Sequence, residues 1–485
     1  MCYRGVNCFL DSVFNIPRMV IAAPQGRSGK TTVTLGLVAA LSARGLIVQP
    51  FKKGPDFIDP GWLSRVAGRP CRNLDAFFMG KETLRRSLSK GAAGAGVAVI
   101  EGAMGLFDGV DLAGSGSTAE IAKALASPVI LVVNAVRMTR SIAAIVLGFQ
   151  RFDPEVDIRG VILNNVARPR HEGMLRAAVE NYCGLPVVGA LPKNRAWEIP
   201  DRHLGLVPVG EDEQLFKAAE AARAGAEKYI DLEAVVDIAR SAPALSLSES
   251  VSTSVVVERG QVRIGVFRDR AFSFYYPENL EALEEAGARL IFIDSFHDRL
   301  PEVDALYIGG GFPEVFAAEL EANTPLRDAV RAGIEEGLPV YAECGGLMYL
   351  ARTLTYKDRK SKMVGVFPFD IDMGTEPRGH GYMRLHVLGG NPYFEAVKEI
   401  RAHEFHHSTV LNLPAGLNYG FAVERGYGID GSVDGVYYKN ALASYCHLHA
   451  LAVPEWAPAL VTKALSYRRT KNRSGKVHLQ RGINI

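Results

Sequence analysis

Residues 338–351 read Leu-Pro-Val-Tyr-Ala-Glu-Cys-Gly-Gly-Leu-Met-Tyr-Leu-Ala, and this stretch decides how the second half of the chain folds. The apolar run before Cys344 predicts a buried strand, and the one after the glycine pair predicts a helix. A strand, a sharp turn with one reactive side chain and a helix outline a nucleophile elbow. A helix N-terminus behind the sulfur would favour the thiolate. An isolated cysteine is more often a small buried hydrophobe, so the rest of the chain has to separate the two interpretations.

The composition is that of a globular protein with several domains. The chain has 485 residues, of which 48% are hydrophobic and 22% charged, and its net charge is +2. This length predicts about two to four domains, and the balanced charge gives no reason to expect a nucleic-acid partner. The six cysteines form no CxxC pair and no metal-ligand spacing, which is typical of reduced thiols. Because neither a signal-peptide pattern nor a membrane-spanning run is found, we expect a cytoplasmic protein without a membrane partner.

A phosphate-binding loop is predicted near the start of the chain. An apolar strand at 19–23 is followed by Pro-Gln-Gly-Arg-Ser-Gly-Lys-Thr-Thr at 24–32 and by a helical pattern at 33–43. This is the setting of a P-loop, although position 24 is proline and the strict spacing fails. In such a loop, backbone N–H groups hold phosphate, Lys30 neutralises its charge and Thr31 can bind Mg²⁺. The sequence therefore predicts nucleotide binding.

Charged residues follow the next two predicted strands, at the ends where open α/β sheets bind ligands. The strand at 46–51 leads into Lys-Lys-Gly-Pro-Asp-Phe-Ile-Asp-Pro at 52–60, and the strand at 96–100 ends at Glu101. Glu101 is placed where a metal could be held, while 52–60 taken alone could be a solvated surface loop. Strands and helices alternate further, so we predict a doubly wound parallel α/β fold.

The chain divides at a serine-rich segment in which the periodicity fails. Residues 241–260 contain this segment and predict an interdomain linker. We therefore predict a nucleotide-binding domain at 19–240 and a second α/β domain at 261–465. Residues 1–18 are expected to be a frayed extension, and residues 466–485 a solvated basic tail.

Three histidines of the second domain lie close together in sequence, at His403, His406 and His407. Their spacing matches no zinc pattern, and no cysteine lies near them in sequence. We expect them to be surface or substrate-contacting residues rather than metal ligands.

Eight motifs run in order through the chain, at residues 28–32, 49–60, 73–75, 101–109, 202–206, 272–277, 342–346 and 443–449. In this order they resemble the cobyrinic acid a,c-diamide synthase family, whose members use ATP and glutamine to amidate acetate side chains of tetrapyrroles. The resemblance implies a dethiobiotin-synthetase-like ATPase in the N-terminal half and a class I glutaminase of the Cys–His type in the C-terminal half. The expected enzyme is a carbon–nitrogen ligase that takes its amido nitrogen from L-glutamine.

The resemblance also implies roles for the glutaminase residues. Cys344 would attack the glutamine amide to form a thioester and release ammonia, with His447 as general base and then acid. His449, two residues on, would point to the same face of a strand and stays open as the base. Backbone N–H groups of residues 309–311 and of the residue after Cys344 would form the oxyanion hole.

In the other half, the resemblance implies that ATP phosphorylates a substrate carboxylate, because a free carboxylate is a poor electrophile. Lys30 and Lys52 would stabilise the transferring phosphoryl group, and the expected magnesium ligands are Thr31, Asp56 and Glu101. The nucleotide-binding residues are then Gly29, Lys30, Thr31, Thr32 and Lys52. Asp59, Asp75 and Asp108 are expected to hold loops or substrate.

Two departures from the family pattern concern the substrate. Lys53 stands where members with corrinoid substrates usually have a small residue, and Trp62 stands where phenylalanine is common. The main expectation is amidation of the a and c acetates of a cobyrinate-type tetrapyrrole, and the alternative is siroheme or nickel-sirohydrochlorin. A more distant alternative is a P-loop switch ATPase of the ParA type, which would have no use for the elbow at Cys344. The sequence is compatible with a homodimer.

Overall fold

The structure is a computed structural model that describes residues 12–197, 201–202, 205–206, 213–247, 262–395 and 398–481. The chain forms two compact units, Met1–Thr253 and Ser254–Ile485. Each unit has its own sheet and its own core, and each is described by itself below.

The helices and strands of the first unit are β1 (Ser12–Phe14), β2 (Arg18–Ala22), α1 (Lys30–Ala43), β3 (Val48–Lys53), α2 (Ile58–Ala67), β4 (Arg72–Leu74), α3 (Lys81–Gly91), β5 (Val97–Glu101), α4 (Thr118–Ala124), β6 (Val129–Asn134), α5 (Ser141–Phe152), β7 (Ile158–Val166), α6 (Pro169–Cys183), β8 (Val187–Pro192), a 3₁₀ turn (Arg195–Trp197), β9 (Asp201–Arg202), β10 (Gly205–Leu206), α7 (Glu213–Tyr229), α8 (Leu232–Arg240) and β11 (Leu245–Leu247).

A parallel sheet with both faces covered forms the centre of the first unit. Its seven strands run in the order β4-β3-β5-β2-β6-β7-β8, and every pairing is parallel. Alternate residues of β2 enter different cores, because successive side chains of a strand point to opposite faces. Val20 packs in the core that includes Leu84 and Ile121, and Ile21 packs in the one that includes Leu35 and Trp62. The predicted doubly wound α/β fold is confirmed for this unit.

The short strand β1 corrects one expectation. It pairs antiparallel with β11, and Ile16, which follows it, is 4% exposed within the core that Phe14 also contacts. The described part of the predicted extension 1–18 therefore contributes to the core instead of fraying. Arg18 is buried nearby and donates hydrogen bonds to the carbonyls of Leu125 and Pro243, which ties β2 to the segment before β11.

The helices and strands of the second unit are β12 (Val262–Phe267), β13 (Phe272–Phe274), α9 (Pro277–Glu285), β14 (Ala288–Ile293), β15 (Ala305–Ile308), β16 (Gly310–Gly311), α10 (Ala317–Ala322), α11 (Thr324–Glu335), β17 (Val340–Glu343), α12 (Gly345–Leu350), β18 (Ala351–Tyr356), β19 (Arg359–Lys362), β20 (Phe367–Met373), β21 (Gly379–Val387), β22 (Glu399–His406), β23 (Ser408–Leu411), β24 (Asn418–Arg425), β25 (Val433–Tyr438), β26 (Ala441–Ser444) and α13 (Trp456–Arg481).

The main sheet of the second unit is mixed. Its nine strands run in the order β14-β12-β15-β17-β26-β25-β24-β21-β22. The pairings from β14 to β26 are parallel and those from β26 to β22 are antiparallel. A separate four-stranded sheet has the order β19-β18-β20-β23. Because β15, β17 and β26 are neighbours and parallel, the segments that follow them meet at one edge of the sheet. No helix in the described part of the chain is long and apolar enough to cross a membrane.

Candidate functional site

Cys344 lies at the turn between β17 and α12, as the elbow pattern predicts. Its backbone has φ 47° and ψ −98°, and its N–H donates to Ser444 O at 2.7 Å. A non-glycine residue with positive φ is uncommon and marks a conformation that the surrounding structure enforces. The Sγ atom lies 3.9 Å from the carbonyl oxygen of Phe405. Burial, followed by the charge of Glu314, raises the pKa of the Cys344 thiol well above its usual range. The N–H of Gly345 at the start of α12 acts in the expected direction and lowers this pKa, but burial outweighs it, so a base has to take the proton.

The glycine pair after Cys344 is required by close backbone contacts. A Cβ atom at Gly345 would lie 3.2 Å from the amide nitrogen of Gly311, and one at Gly346 would overlap the carbonyl oxygen of Ile308. Side chains here would either cover the Gly311 amide or push α12 away from β15. The elbow is thus held against the end of the neighbouring strand.

The loop after β15 is fixed by a short antiparallel pairing of β13 with β16. The Gly309 N–H donates to the hydroxyl of Tyr275 at 2.8 Å, and that hydroxyl donates to the carbonyl of Phe267. This corrects one detail of the predicted oxyanion hole, because the Gly309 amide is already engaged. Gly311, beside the elbow, is the better placed donor of this loop.

The two histidines of the segment after β26 have different surroundings. His447 lies against the glycine loop, since a Cβ atom at Gly310 would be 2.5 Å from its Cε1 atom, and its Nδ1 lies 3.8 Å from Glu343 Oε2. His449 instead packs on Tyr276 and has its Nε2 3.7 Å from Glu278 Oε2. The geometry therefore groups His447 with the glycine loop that flanks Cys344.

The histidines of β22 and its end are all buried, so the surface interpretation of them is wrong. His403, His406 and His407 are 3%, 4% and 6% exposed. The ring centroids of His403 and His447 are 4.8 Å apart and the rings stack. The backbone N–H of His447 donates to the backbone carbonyl of His403 at 2.8 Å. Burial, with the neighbouring His447, lowers the pKa of His403 far below its usual range. Among the described residues no cluster of three or more His, Cys, Asp or Glu is arranged to hold a metal.

In the first unit, the predicted phosphate loop turns at Gly29 into the start of α1. Gly29, with φ 89°, caps α1, which begins at Lys30. A Cβ atom at this position would overlap the side-chain amide of Asn164, which donates to Ser28 O at 3.0 Å. Lys30 Nζ donates to Met104 O at 2.5 Å, and burial, with Lys52 nearby, lowers its pKa to about 8. Sequence reasoning missed Asn164; its signal is a polar pair at the carboxyl end of a buried strand.

Lys52 lies among the acids that were expected to hold a metal. Its Nζ is 2.9 Å from Glu101 Oε1 and 3.7 Å from Asp56 Oδ2, and it also donates to Asp59. Although burial opposes it, the charges of Asp59, Glu101 and Asp56 raise the Lys52 pKa well above its usual range. Burial, with Asp59 nearby, raises the pKa of Asp56 to about 7. The structure thus adds Asp59 to a cluster in which sequence reasoning placed only Asp56 and Glu101.

The acids of this cluster do not by themselves form a metal-binding group among the described residues, but together with Thr31 and the phosphates of a bound nucleotide they could hold a magnesium ion. The Thr31 hydroxyl donates to Glu101 Oε1 at 2.7 Å and lies 3.4 Å from Asp59 Oδ2. The Glu101 Oε2 atom is buried, and among the described residues it has no hydrogen-bond partner. Protein-bound Mg²⁺ usually takes one or two carboxylates, with waters and phosphates completing its shell. Two or three protein oxygens at this edge are therefore sufficient.

The remaining predicted residues divide between loop support and core. Asp75 Oδ1 accepts from the Phe77 N–H at 2.8 Å and Asp108 Oδ2 from the Gly105 N–H at 2.7 Å, so both acids hold loops. Trp62 is 1% exposed and packs in the core under α1. Thr32 follows Thr31 in the first turn of α1. Of the motif at 202–206, residues 203 and 204 lie outside the described residues.

Lys53 is buried at the end of β3, and burial lowers the pKa of its amine, an effect that Asp75 opposes. It lies on the strand that also delivers Lys52, at the edge where open sheets bind ligands. Of the two departures from the family pattern, Trp62 lies in the core and Lys53 lies at this edge of the sheet.

Known proteins match both units. Residues 19–207 match the model of the CobQ/CobB/MinD/ParA nucleotide binding domain, and residues 263–454 that of the CobB/CobQ-like glutamine amidotransferase domain. A cobyrinate a,c-diamide synthase of Magnetococcus marinus is 46% identical over 92% of this chain and 97% of its own length. Those of Archaeoglobus fulgidus and Methanosarcina barkeri are 43% and 42% identical over 93% and 95% of this chain, and over 98% of each relative. Because these relatives match across both units, the chain belongs to the cobyrinate a,c-diamide synthase family of glutamine amidotransferases, which confirms the resemblance drawn from the motifs.

Proposed function

We propose that this protein uses ATP and L-glutamine to convert the a and c acetate groups of a cobyrinate-type tetrapyrrole into amides, as a step of cobalamin biosynthesis. The observation that carries the proposal is the pairing, in one chain, of a strained Cys344 elbow with a phosphate loop flanked by Lys52 and Glu101. A switch ATPase would explain the second feature and leave the first without a use.

In the glutaminase unit, we propose Cys344 as the nucleophile and His447 as the base. The thiol gives its proton to the imidazole as sulfur attacks the amide carbon, and the imidazolium then protonates the leaving ammonia. The N–H groups of Gly311 and Gly345 would donate to the oxygen that becomes negative in this step. Water hydrolyses the thioester and releases glutamate. His447 is preferred over His449 because the glycine loop contacts it.

In the synthetase unit, we propose that a substrate carboxylate attacks the terminal phosphate of ATP to give an acyl phosphate and ADP. Ammonia then displaces phosphate from the acyl carbon and leaves the amide. Lys30 and Lys52 stabilise the charge on the transferring phosphoryl group, and the Gly29 turn and the start of α1 hold the other phosphates. Thr31, Asp56 and Glu101 would hold Mg²⁺, with Asp59 beside them, and the ion would neutralise further phosphate charge.

The experiment incubates the protein with ATP, Mg²⁺, glutamine and one macrocycle at a time, with mass spectrometry of the products. We expect a cobyrinate to gain two amide groups with two equivalents of ADP. Turnover of siroheme or nickel-sirohydrochlorin instead would support the alternative that Lys53 suggests. If no macrocycle is amidated and the protein hydrolyses ATP without releasing glutamate from glutamine, the proposal that it is an amidotransferase is wrong.

A further inference from the structure

A buried carboxylate adjoins the nucleophile in sequence and the base in space. Glu343 is the last residue of β17, directly before Cys344, and is 1% exposed. Its Oε1 accepts from the Leu448 N–H at 3.0 Å, and its Oε2 accepts from the Tyr307 hydroxyl at 3.0 Å. The same Oε2 atom lies 3.8 Å from His447 Nδ1. The carboxylate is thus fixed from two sides, with one oxygen facing the imidazole.

The supports of this carboxylate are themselves fixed. Asn279 donates to the Tyr307 hydroxyl at 3.2 Å and to the Leu448 carbonyl at 2.8 Å, and it accepts from the Ala450 N–H at 2.7 Å. Tyr307 is fully buried, and burial, together with the charge of Glu343, raises the pKa of its phenol so that it stays a donor. The network therefore holds the segment that carries His447 and the Glu343 side chain in one arrangement.

A histidine that acts as a base needs a third group, because the hydrogen bond at one ring nitrogen decides which nitrogen carries the proton. We propose that Glu343 is the positioning residue of the glutaminase site: its carboxylate holds His447 with the proton on Nδ1, so that Nε2 faces the Cys344 thiol. This inference rests on the proposed roles of Cys344 and His447. The end of β17 would then supply the group that orients the base, and the next residue would be the nucleophile.

During the proposed proton transfers, the carboxylate of Glu343 stabilises the charged form of His447. When Cys344 attacks, its proton moves to Nε2 and the ring becomes an imidazolium, whose positive charge the Glu343 carboxylate stabilises. When the C–N bond breaks, the same proton leaves with ammonia and the ring returns to its first state. Glu343 neither gains nor loses a proton. The stacked His403 stays neutral and adds no competing charge.

The substitution Glu343→Gln tests the proposal, because glutamine keeps the shape and can still accept from Leu448. Its amide donates where the carboxylate accepted, so Nδ1 must lose its proton and Nε2 can no longer serve as the base. We expect glutamine-dependent kcat to fall by at least about 100-fold with little change in KM for glutamine.

Ammonia-dependent amidation by the same variant measures folding and should stay within about twofold of the parent. Tyr307→Phe, which removes one of the two supports, should give a smaller fall in glutamine-dependent kcat. The matched control is Glu278→Gln, which alters the carboxylate beside His449 and should keep glutamine-dependent kcat near the parental value. The proposal is overturned if Glu343→Gln keeps near-parental glutamine use, if it loses the ammonia reaction as well, or if Glu278→Gln lowers glutamine-dependent kcat to the same extent. Failure of the proposed function would look different: the parent protein itself would release no glutamate.

Discussion

Asp434 holds the segment that carries His447, and its titration should make the stability of the protein depend on pH. This fully buried carboxylate accepts from the N–H groups of Tyr445 and Cys446 at 2.9 and 3.0 Å. Burial raises its pKa from 3.8 to about 7. An acid whose pKa is raised in the folded state contributes stability that is fully present below its unfolded pKa and is lost as the pH rises through its folded pKa.

We therefore expect the free energy of unfolding to fall with rising pH between about 4 and 7, by roughly 1.4 kcal/mol per pH unit from this group alone. Asp434→Asn cannot ionise, so the difference in unfolding free energy between parent and variant should shrink over this window and become constant above it. Urea denaturation of the full chain at several pH values measures this. A difference that is independent of pH would show that Asp434 titrates alike in both states.

At the scale of elements, the pairing of β13 with β16 sets the space between the glycine loop and His447. A methyl group at Gly310 would lie 2.5 Å from the His447 Cε1 atom, so one of the two must move. We expect Gly310→Ala to lower glutamine-dependent amidation by about 100-fold or more and to spare the ammonia reaction. Gly389→Ala is the control, because that glycine meets nothing within 4 Å. Equal glutamine use by the two variants would contradict the placement of His447.

The strand β1 gives a second prediction at this scale. Removing residues 1–17 deletes β1 and the buried Ile16, whereas removing residues 1–11 leaves both in place. The longer deletion should lower the free energy of unfolding by about 2–4 kcal/mol relative to the shorter one, which is typical of losing one large core side chain. Denaturant midpoints of the two truncated proteins test this, and equal midpoints would restore the interpretation of this segment as frayed.

The sequence predicts those parts of the site that a single segment encodes. The elbow at Cys344 and the phosphate loop before α1 each need one strand, one turn and one helix, so their patterns are local. The contact between Glu343 and Leu448 joins residues 105 positions apart, and no local pattern indicates it. The same holds for β1, whose apolar residues are too few to form a recognisable period. It also holds for Asp59, because the sequence does not distinguish it from the nearby Asp56 as a partner of Lys52.

At the scale of the whole molecule, substitutions of Lys30 and of Cys344 should impair different reactions. Lys30→Ala removes the charge at the phosphate loop, which both nitrogen sources require, so amidation with glutamine and with ammonia should fall together, on the order of 10³-fold. Its glutaminase unit is unaltered in sequence and should still bind glutamine. ATP-dependent product formation, followed by mass spectrometry with each nitrogen source, measures this, and near-normal amidation would refute the assignment of the first unit.

Cys344→Ala should give the opposite pattern. Without the thiol no thioester forms, so glutamine-dependent amidation should fall to background, whereas ammonia enters after that step and should support amidation at close to the parental rate. The assay uses high ammonia at mildly alkaline pH, where more of the free amine is present. Cys446→Ala is the matched control, since that thiol is fully buried and donates to Ser444 Oγ, and it should keep glutamine use. If Cys446→Ala loses glutamine use and Cys344→Ala does not, the assignment of Cys344 as the nucleophile is wrong. If folded Cys344→Ala loses the ammonia reaction, the two units do not divide the reaction as proposed.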